Sequence, residues 1–174
     1  MAHVQRRDAA AFEALLEHHL VPLGRFLQRM TGNAADADDL AQETFLRVWR
    51  EATRWQPGRV RFTTWLYRIG RNLAIDRHRR RRDLTGVDVD EPESGSNPGA
   101  DYEHAERDRR VRAAVAALPE RQRTALLLCH FQGMSNQDAA LVLDVSVDAL
   151  ESLLARARRA LKQELRIYIE DSRS

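Results

Sequence analysis

Apolar residues recur at helical spacing along most of the chain. Phe12, Leu15, Leu16, His19, Leu20 and Leu23 share one face of a first helix. Pro22 is expected to bend that helix before it continues through Phe26, Leu27 and Met30 to the breaker pair Thr31-Gly32. A cleaner segment follows from about Ala35 to Arg54. At about 100° per residue, its Ala37, Leu40, Ala41, Thr44, Val48 and Ala52 lie on one side. The opposite side presents Asp39, Gln42, Glu43, Leu46 and Arg50, so Leu46 is an apolar residue on a polar face. After Gln56-Pro57-Gly58, the pattern predicts a long helix from about Thr63 into the run Arg79–Arg82, with Phe62, Trp65, Leu66, Ile69 and Leu73 inside. Its outer side gathers Thr64, Tyr67, Arg68, Arg71, Ile75, His78 and Arg79, with Asn72 at the margin. No segment alternates as a strand does, and no internal repeat is present.

A second helical stretch fills the C-terminal part. Leu118-Pro119-Glu120-Arg121-Gln122-Arg123 opens a helix with Pro in the first turn, running through Leu126, Leu127, Leu128 and Phe131 to Gly133. Ser135 is placed to cap a short helix, Asn136–Leu143, and Ser146 to cap a final one from about Val147 to Leu165. That last helix has Leu150, Leu153, Leu154, Ala157 and Leu161 as its core stripe. Outward lie Asp148, Ser152, Ala155 and Arg159, flanked by Glu151, Arg156 and Lys162.

Between the two stretches, Leu84–Gly99 holds Gly86, Pro92, Gly95, Pro98 and Gly99 with almost no apolar periodicity, and it reads as a flexible linker. Charge follows the same division. Residues 1–82 hold sixteen Arg against nine acids, a balance of +7. Residues 83–108 hold one Arg against nine acids, −8, and residues 109–174 eleven Lys or Arg against eight acids, +3. Two basic blocks around an acidic connector suit two surfaces that meet a polyanion. The expected organisation is all-α: a helical bundle over 1–82, an acidic linker over 83–104, and a helical unit over 105–174.

The rest of the composition excludes more than it adds. Cys129 is the single cysteine, so neither a disulfide framework nor a multi-Cys zinc site fits. No apolar run approaches the roughly 20 residues that span a bilayer, and no basic-then-apolar leader opens the chain, so a soluble, cytoplasmic protein is expected. The six histidines show no ligand or triad spacing, so neither a metal, a cofactor nor enzymatic activity is expected.

Two surfaces suggest binding instead. Aromatic and apolar groups interleaved with arginines, as on Thr64–Arg79, suit single-stranded nucleic acid, because bases stack on rings while guanidinium groups hold phosphates. A solvated basic helix has the same composition. A short helix, tight turn and long helix with a partly basic face is the helix-turn-helix arrangement, although a plain helical hairpin shares it.

Longer motifs resemble a known family. Asp36-Ala-Asp-Asp-Leu-Ala-Gln-Glu-Thr-Phe-Leu-Arg-Val-Trp49 resembles region 2.2 of bacterial sigma factors. The stretch Phe62-Thr-Thr-Trp-Leu-Tyr-Arg-Ile-Gly-Arg-Asn-Leu-Ala-Ile-Asp-Arg77 and its trailing arginines resemble regions 2.3 and 2.4. Leu118–Arg123, Gly133-Met-Ser135 and Ser146–Arg159 resemble region 4. The motifs occur in family order with no room for a third domain, as in the extracytoplasmic-function group.

The resemblance implies a division of labour in promoter-specific initiation. The face bearing Asp39, Gln42, Glu43 and Leu46, with Arg47 and Arg50, docks on the clamp coiled coil of the polymerase's largest subunit. Tyr67, Arg68, Arg71 and Asn72, then Asp76, Arg77, Arg79 and Arg80, hold the melted −10 strand beside the Gln56–Arg61 loop, where a base turned out of the stack promotes opening. The last helix reads the −35 element through Asp148, Ser152, Arg156 and Arg159, with Arg123, Ser135, Asn136 and Ser146 around it. The linker threads toward the RNA-exit path in place of nucleic acid, and an anti-sigma partner and a stress response are implied. One departure stands out: many relatives have Thr-Val-Lys-Ser-Arg where this chain has Ala149-Leu150-Glu151-Ser152-Leu153. Glu151 is expected either to meet a cytosine amino group or to pair with a nearby arginine, and spacing favours Arg158. A response-regulator-type factor shares the final helix but needs an upstream receiver domain of alternating strands and helices, which residues 1–82 do not show.

Overall fold

The computed structural model describes residues 1–56, 58, 60–85 and 102–171, with side chains for these except 85, 102–105 and 167–171. The acidic linker lies mostly outside the described residues, as do Pro57 and Arg59 of the turn before the long helix. All described secondary structure is helical: α1 (Ala2–Gln5), α2 (Ala9–Thr31), α3 (Ala34–Glu51) with a 3-10 turn at Ala52–Arg54, α4 (Phe62–Thr85), α5 (Tyr102–Ala116), α6 (Glu120–Leu126), α7 (Asn136–Leu143) and α8 (Val147–Asp171).

α2, α3 and α4 pack as a three-helix bundle. Short polar side chains start its helices: Asp8 accepts from the Ala11 amide at 3.1 Å, and Asn33 from the Asp36 amide at 2.9 Å. Gly32, at φ 71°, ends α2 in the left-handed conformation that favours glycine, its N–H reaching the Gln28 carbonyl. Leu23, Phe26 and Leu27 of α2, Leu40 and Val48 of α3, and Leu66 of α4 are almost completely buried between the helices. The periodic stripe of α3 is buried as its spacing predicts, and Phe45 beside it is buried too. Gly70 lets the helices approach, since a Cβ there would stand 3.2 Å from Leu23 Cδ1 and 3.4 Å from Thr44 Oγ1. Pro22 lies inside one continuous α2 rather than dividing it. It and Val21 are exposed, so the amide hydrogen bond lost at proline falls on the watered side.

The C-terminal unit builds α6, α7 and α8 around Leu127, Leu143, Leu150 and Ala157, with α5 against α8. Ser135 and Ser146 cap α7 and α8, accepting from the Asp138 and Ala149 amides at 3.1 Å each. Asp144, at φ 56°, makes the left-handed turn between them. Two expectations are corrected. Pro119 is the residue capping α6 rather than one in its first turn, and α6 gives way to a π turn at Leu127–Phe131 instead of running regularly to Gly133. In that wider turn the Gln132 amide reaches the Leu127 carbonyl, five residues back, at 3.1 Å.

The two units share one contiguous buried core. α2 packs against α5, α6 and the π turn, and α4 against α7. Thr124 donates to Met30 Sδ at 3.3 Å, and Arg29 lies over the Phe131 ring, 4.5 Å from its centroid.

Candidate nucleic-acid interface

The outer face of α3 is open. Asp39, Gln42, Glu43 and Arg50 are exposed, Arg47 is half-buried, and Leu46 keeps 55% of its surface. Its one described tether is a 3.6 Å ion pair from Asp39 to Arg77 of α4.

The outer face of α4 is covered, against its reading as a solvent-facing side. Thr64 retains 1%, Tyr67 5% and Arg71 9% of their surface, because α7 packs across α4 and the side chains of Glu120 and Gln132 reach over it. Thr64 Oγ1 donates to Asp138 Oδ1 at 3.0 Å, and Arg61 approaches Asp138 Oδ2 at 3.5 Å. The Tyr67 hydroxyl donates to Gln132 Oε1 at 2.6 Å. Arg71 pairs with Glu120 at 3.3 Å and contacts Asn72 Oδ1 at 3.4 Å, while its buried Nε has no partner. Burial pushes the Tyr67 phenol up to about 12, since the ionised form loses its water. Asp138 also accepts from the Ser135 hydroxyl at 2.8 Å, so one carboxylate ties the α7 cap to α4.

The remaining −10 candidates divide. Arg68, Asn72, Asp76, Arg79 and Arg80 are exposed. Arg77 is half-buried and braces α3, with Nη1 3.2 Å from Asp36 Oδ1, and Arg81 pairs with the same carboxylate. Sequence reasoning passed over Asp138, Gln132 and Glu120. Each is an ordinary polar residue of a helix or turn, and no local signal marks it as a partner for α4.

On α8, Asp148, Ser152, Arg156 and Arg159 are exposed with Ala155 among them, and Ser135 and Ser146 are exposed at their caps. Arg123 is not on this surface. Only 8% exposed, it donates from Nη1 to the Ala116 carbonyl at 3.0 Å and braces the end of α5. Glu151 does not pair with the expected Arg158: its Oε1 accepts from Asn136 Nδ2 at 3.2 Å. Cys129 Sγ lies 3.8 Å from Asn136 Oδ1, and burial pushes its thiol up. Among the described residues no group of three or more His, Cys, Asp or Glu could hold a metal, and no helix is long and apolar enough to cross a membrane.

Comparison with known proteins matches these units. The Sigma-70 region 2 family matches residues 15–83, and Sigma-70, region 4 matches residues 108–161. The chain is 34% identical over 160 residues to the ECF RNA polymerase sigma factor SigE of Mycolicibacterium smegmatis, a match covering 89% of this chain and 62% of that longer protein. It is 33% identical over 182 residues to the RNA polymerase sigma-H factor of Pseudomonas aeruginosa, covering 97% and 93%. Its fold resembles the sigma factor RpoE in co-crystals with the anti-sigma factor NepR from Bartonella quintana, with a TM-score of 0.75 at 26% identity, covering 90% of this chain and 98% of that one. With both regions in order and a relative matched over nearly its full length, the chain belongs to the extracytoplasmic-function RNA polymerase sigma factors, non-enzymatic subunits that direct transcription initiation at promoters.

Proposed function

We propose that three separate faces divide this work and that the packed arrangement is a closed form which opens on engaging the promoter. The outer face of α3, centred on Leu46 with Asp39, Gln42, Glu43, Arg47 and Arg50, holds core polymerase. The outer face of α4 takes the melted −10 strand, through Tyr67, Arg68, Arg71 and Asn72 and then Asp76, Arg77, Arg79 and Arg80. The exposed face of α8 takes the −35 duplex through Asp148, Ser152, Arg156 and Arg159, with Ser135, Asn136 and Ser146 at the helix starts. Arg123 supports this unit from beneath. The working compartment is the cytoplasm, and an anti-sigma protein is a partner of the closed form.

One observation carries this reading. The groups that cover α4 are two carboxylates and an amide, Asp138, Glu120 and Gln132, and they engage the Thr64, Tyr67 and Arg71 donors that phosphates and base edges need. A negatively charged strand competes for the same donors, so the seam and the −10 element exclude one another. Run-off transcription with core polymerase, with permanganate footprinting of the −10 region, tests the whole. The expected result is promoter-dependent transcripts, with Asn72→Ala impairing strand opening more than duplex binding. Asp138→Ala is expected to raise binding of single-stranded −10 DNA by the free chain. No transcript from any promoter, or identical single-strand binding by Asp138→Ala and wild type, overturns the reading.

A further inference from the structure

α8 carries a carboxylate beside its exposed face, and the fold holds it in place. Glu151 is exposed, one residue before Ser152 on the outward face of α8. Its Oε1 accepts from Nδ2 of Asn136, the first residue of α7, at 3.2 Å. Asn136 is half-buried, and its Oδ1 faces Cys129 Sγ at 3.8 Å, so the amide orients the carboxylate from a packed position. No ion pair between Glu151 and an arginine occurs among the described residues. Ala155, exposed one turn on, presents only a methyl group on that side. The described hydrogen bond engages Oε1 alone, which leaves Oε2 for an outside donor.

We infer that Glu151, positioned by Asn136, is a specificity-determining residue that selects a cytosine at one base pair of the −35 duplex. This rests on the proposed docking of α8 in the major groove. A carboxylate only accepts hydrogen bonds. In the major groove guanine shows two acceptors to it and thymine an acceptor beside a methyl group, so both repel it. Adenine offers its N6 amino group but sets the N7 acceptor alongside. Cytosine offers its N4 amino group with a C–H, not an acceptor, on the same base beside it, and so fits best. Because the same charge repels backbone phosphates, it lowers affinity for all duplexes while sharpening the choice among them.

The test uses the full chain assembled with core polymerase and a duplex library randomised over the −35 region, followed by single-base variants of the selected sequence. Wild type is expected to favour cytosine at one position by about tenfold or more. Glu151→Gln should move that preference to adenine, whose N6 and N7 match an amide's acceptor and donor. Glu151→Ala should erase the preference there while binding random duplex more tightly. Asn136→Ala should weaken the cytosine preference in the wild-type background and leave it unchanged in Glu151→Ala, a dependence that general loss of structure does not produce. A −35 preference that Glu151→Ala leaves intact at every position overturns the inference and spares the docking of α8. Absence of any −35 preference in wild type, with Arg159→Ala indistinguishable from it, overturns the docking and this inference together.

Discussion

The outer faces of α3 and α4 read alike in sequence, each a mixed polar side opposite an apolar stripe, yet they meet different surroundings. That of α3 is open and has an apolar residue at its centre, Leu46, which touches no core. That of α4 is closed over, and its Thr64, Tyr67 and Arg71 are among the more buried polar residues of the protein. The difference separates two properties that an amphipathic pattern merges. Periodicity tells which side of a helix its own bundle leaves aside, and says nothing of what a second unit lays across that side. Polar residues can face a polar partner as readily as water, provided their donors are met, and here Asp138, Gln132 and Glu120 meet them.

Substitutions on the two faces should therefore behave oppositely. The largest effect is expected for Tyr67→Ala, which removes a buried ring packed edge-on to Phe26 and strands Gln132. It should lower unfolding free energy by about 3 kcal/mol in denaturant titrations. An unfolding midpoint equal to that of wild type would mean the α4 face is open in solution. Asp138→Ala removes the acceptor of Thr64, Arg61 and the Ser135 hydroxyl, and should cost about 1–2 kcal/mol. Alkaline titration gives a finer reading. The Tyr67 phenol ionises at about 12 in the closed fold against an ordinary 10, so the folded state holds its proton more tightly. Its contribution to stability is complete below pH 10 and is lost as pH rises from 10 through 12. Tyr67→Phe should lack that portion of the alkaline loss, and Asp138→Ala should return the phenol toward 10, both visible by tyrosinate absorbance. The smallest effect on stability is expected for Leu46→Asp, within about 0.5 kcal/mol of wild type, because a surface residue gives up no core contact. The same variant should lose capture by core polymerase in a pull-down. Full capture by the folded variant would remove α3 from that interface.

Much of the fold was legible because one physical signal fixed it. The spacing of Ala37, Leu40, Ala41, Thr44, Val48 and Ala52 defined the buried side of α3, and the hydroxyls of Ser135 and Ser146 marked the helix starts beside the turn at Asp144. Local signals end where long-range packing takes over. Nothing near Leu127–Phe131 marks a π turn, since the wider backbone accommodates neighbours distant in sequence. Pro22 promised a bend that one continuous helix absorbs on its exposed side. Arg123 looked like a DNA contact, yet it braces the Ala116 carbonyl. The candidate set on α4 was chosen as a solvent-facing side, while the partners that cover Thr64 and Tyr67 stand 74 and 65 residues further along. Glu151 was weighed against arginines on its own helix, and its partner came from the start of another.

Those separations also bear on how the chain emerges from the ribosome. Helices α2 to α4 draw their core from residues within the first half, so the bundle is able to pack while the rest is still being made. Thr64 precedes Asp138 by 74 residues. At bacterial synthesis rates, roughly 4–15 s pass between the two. For that interval Thr64 lacks its later partner, and a nascent chain stalled before α6, where Glu120, Gln132 and Asp138 are all still to come, would display the face that the finished protein keeps shut.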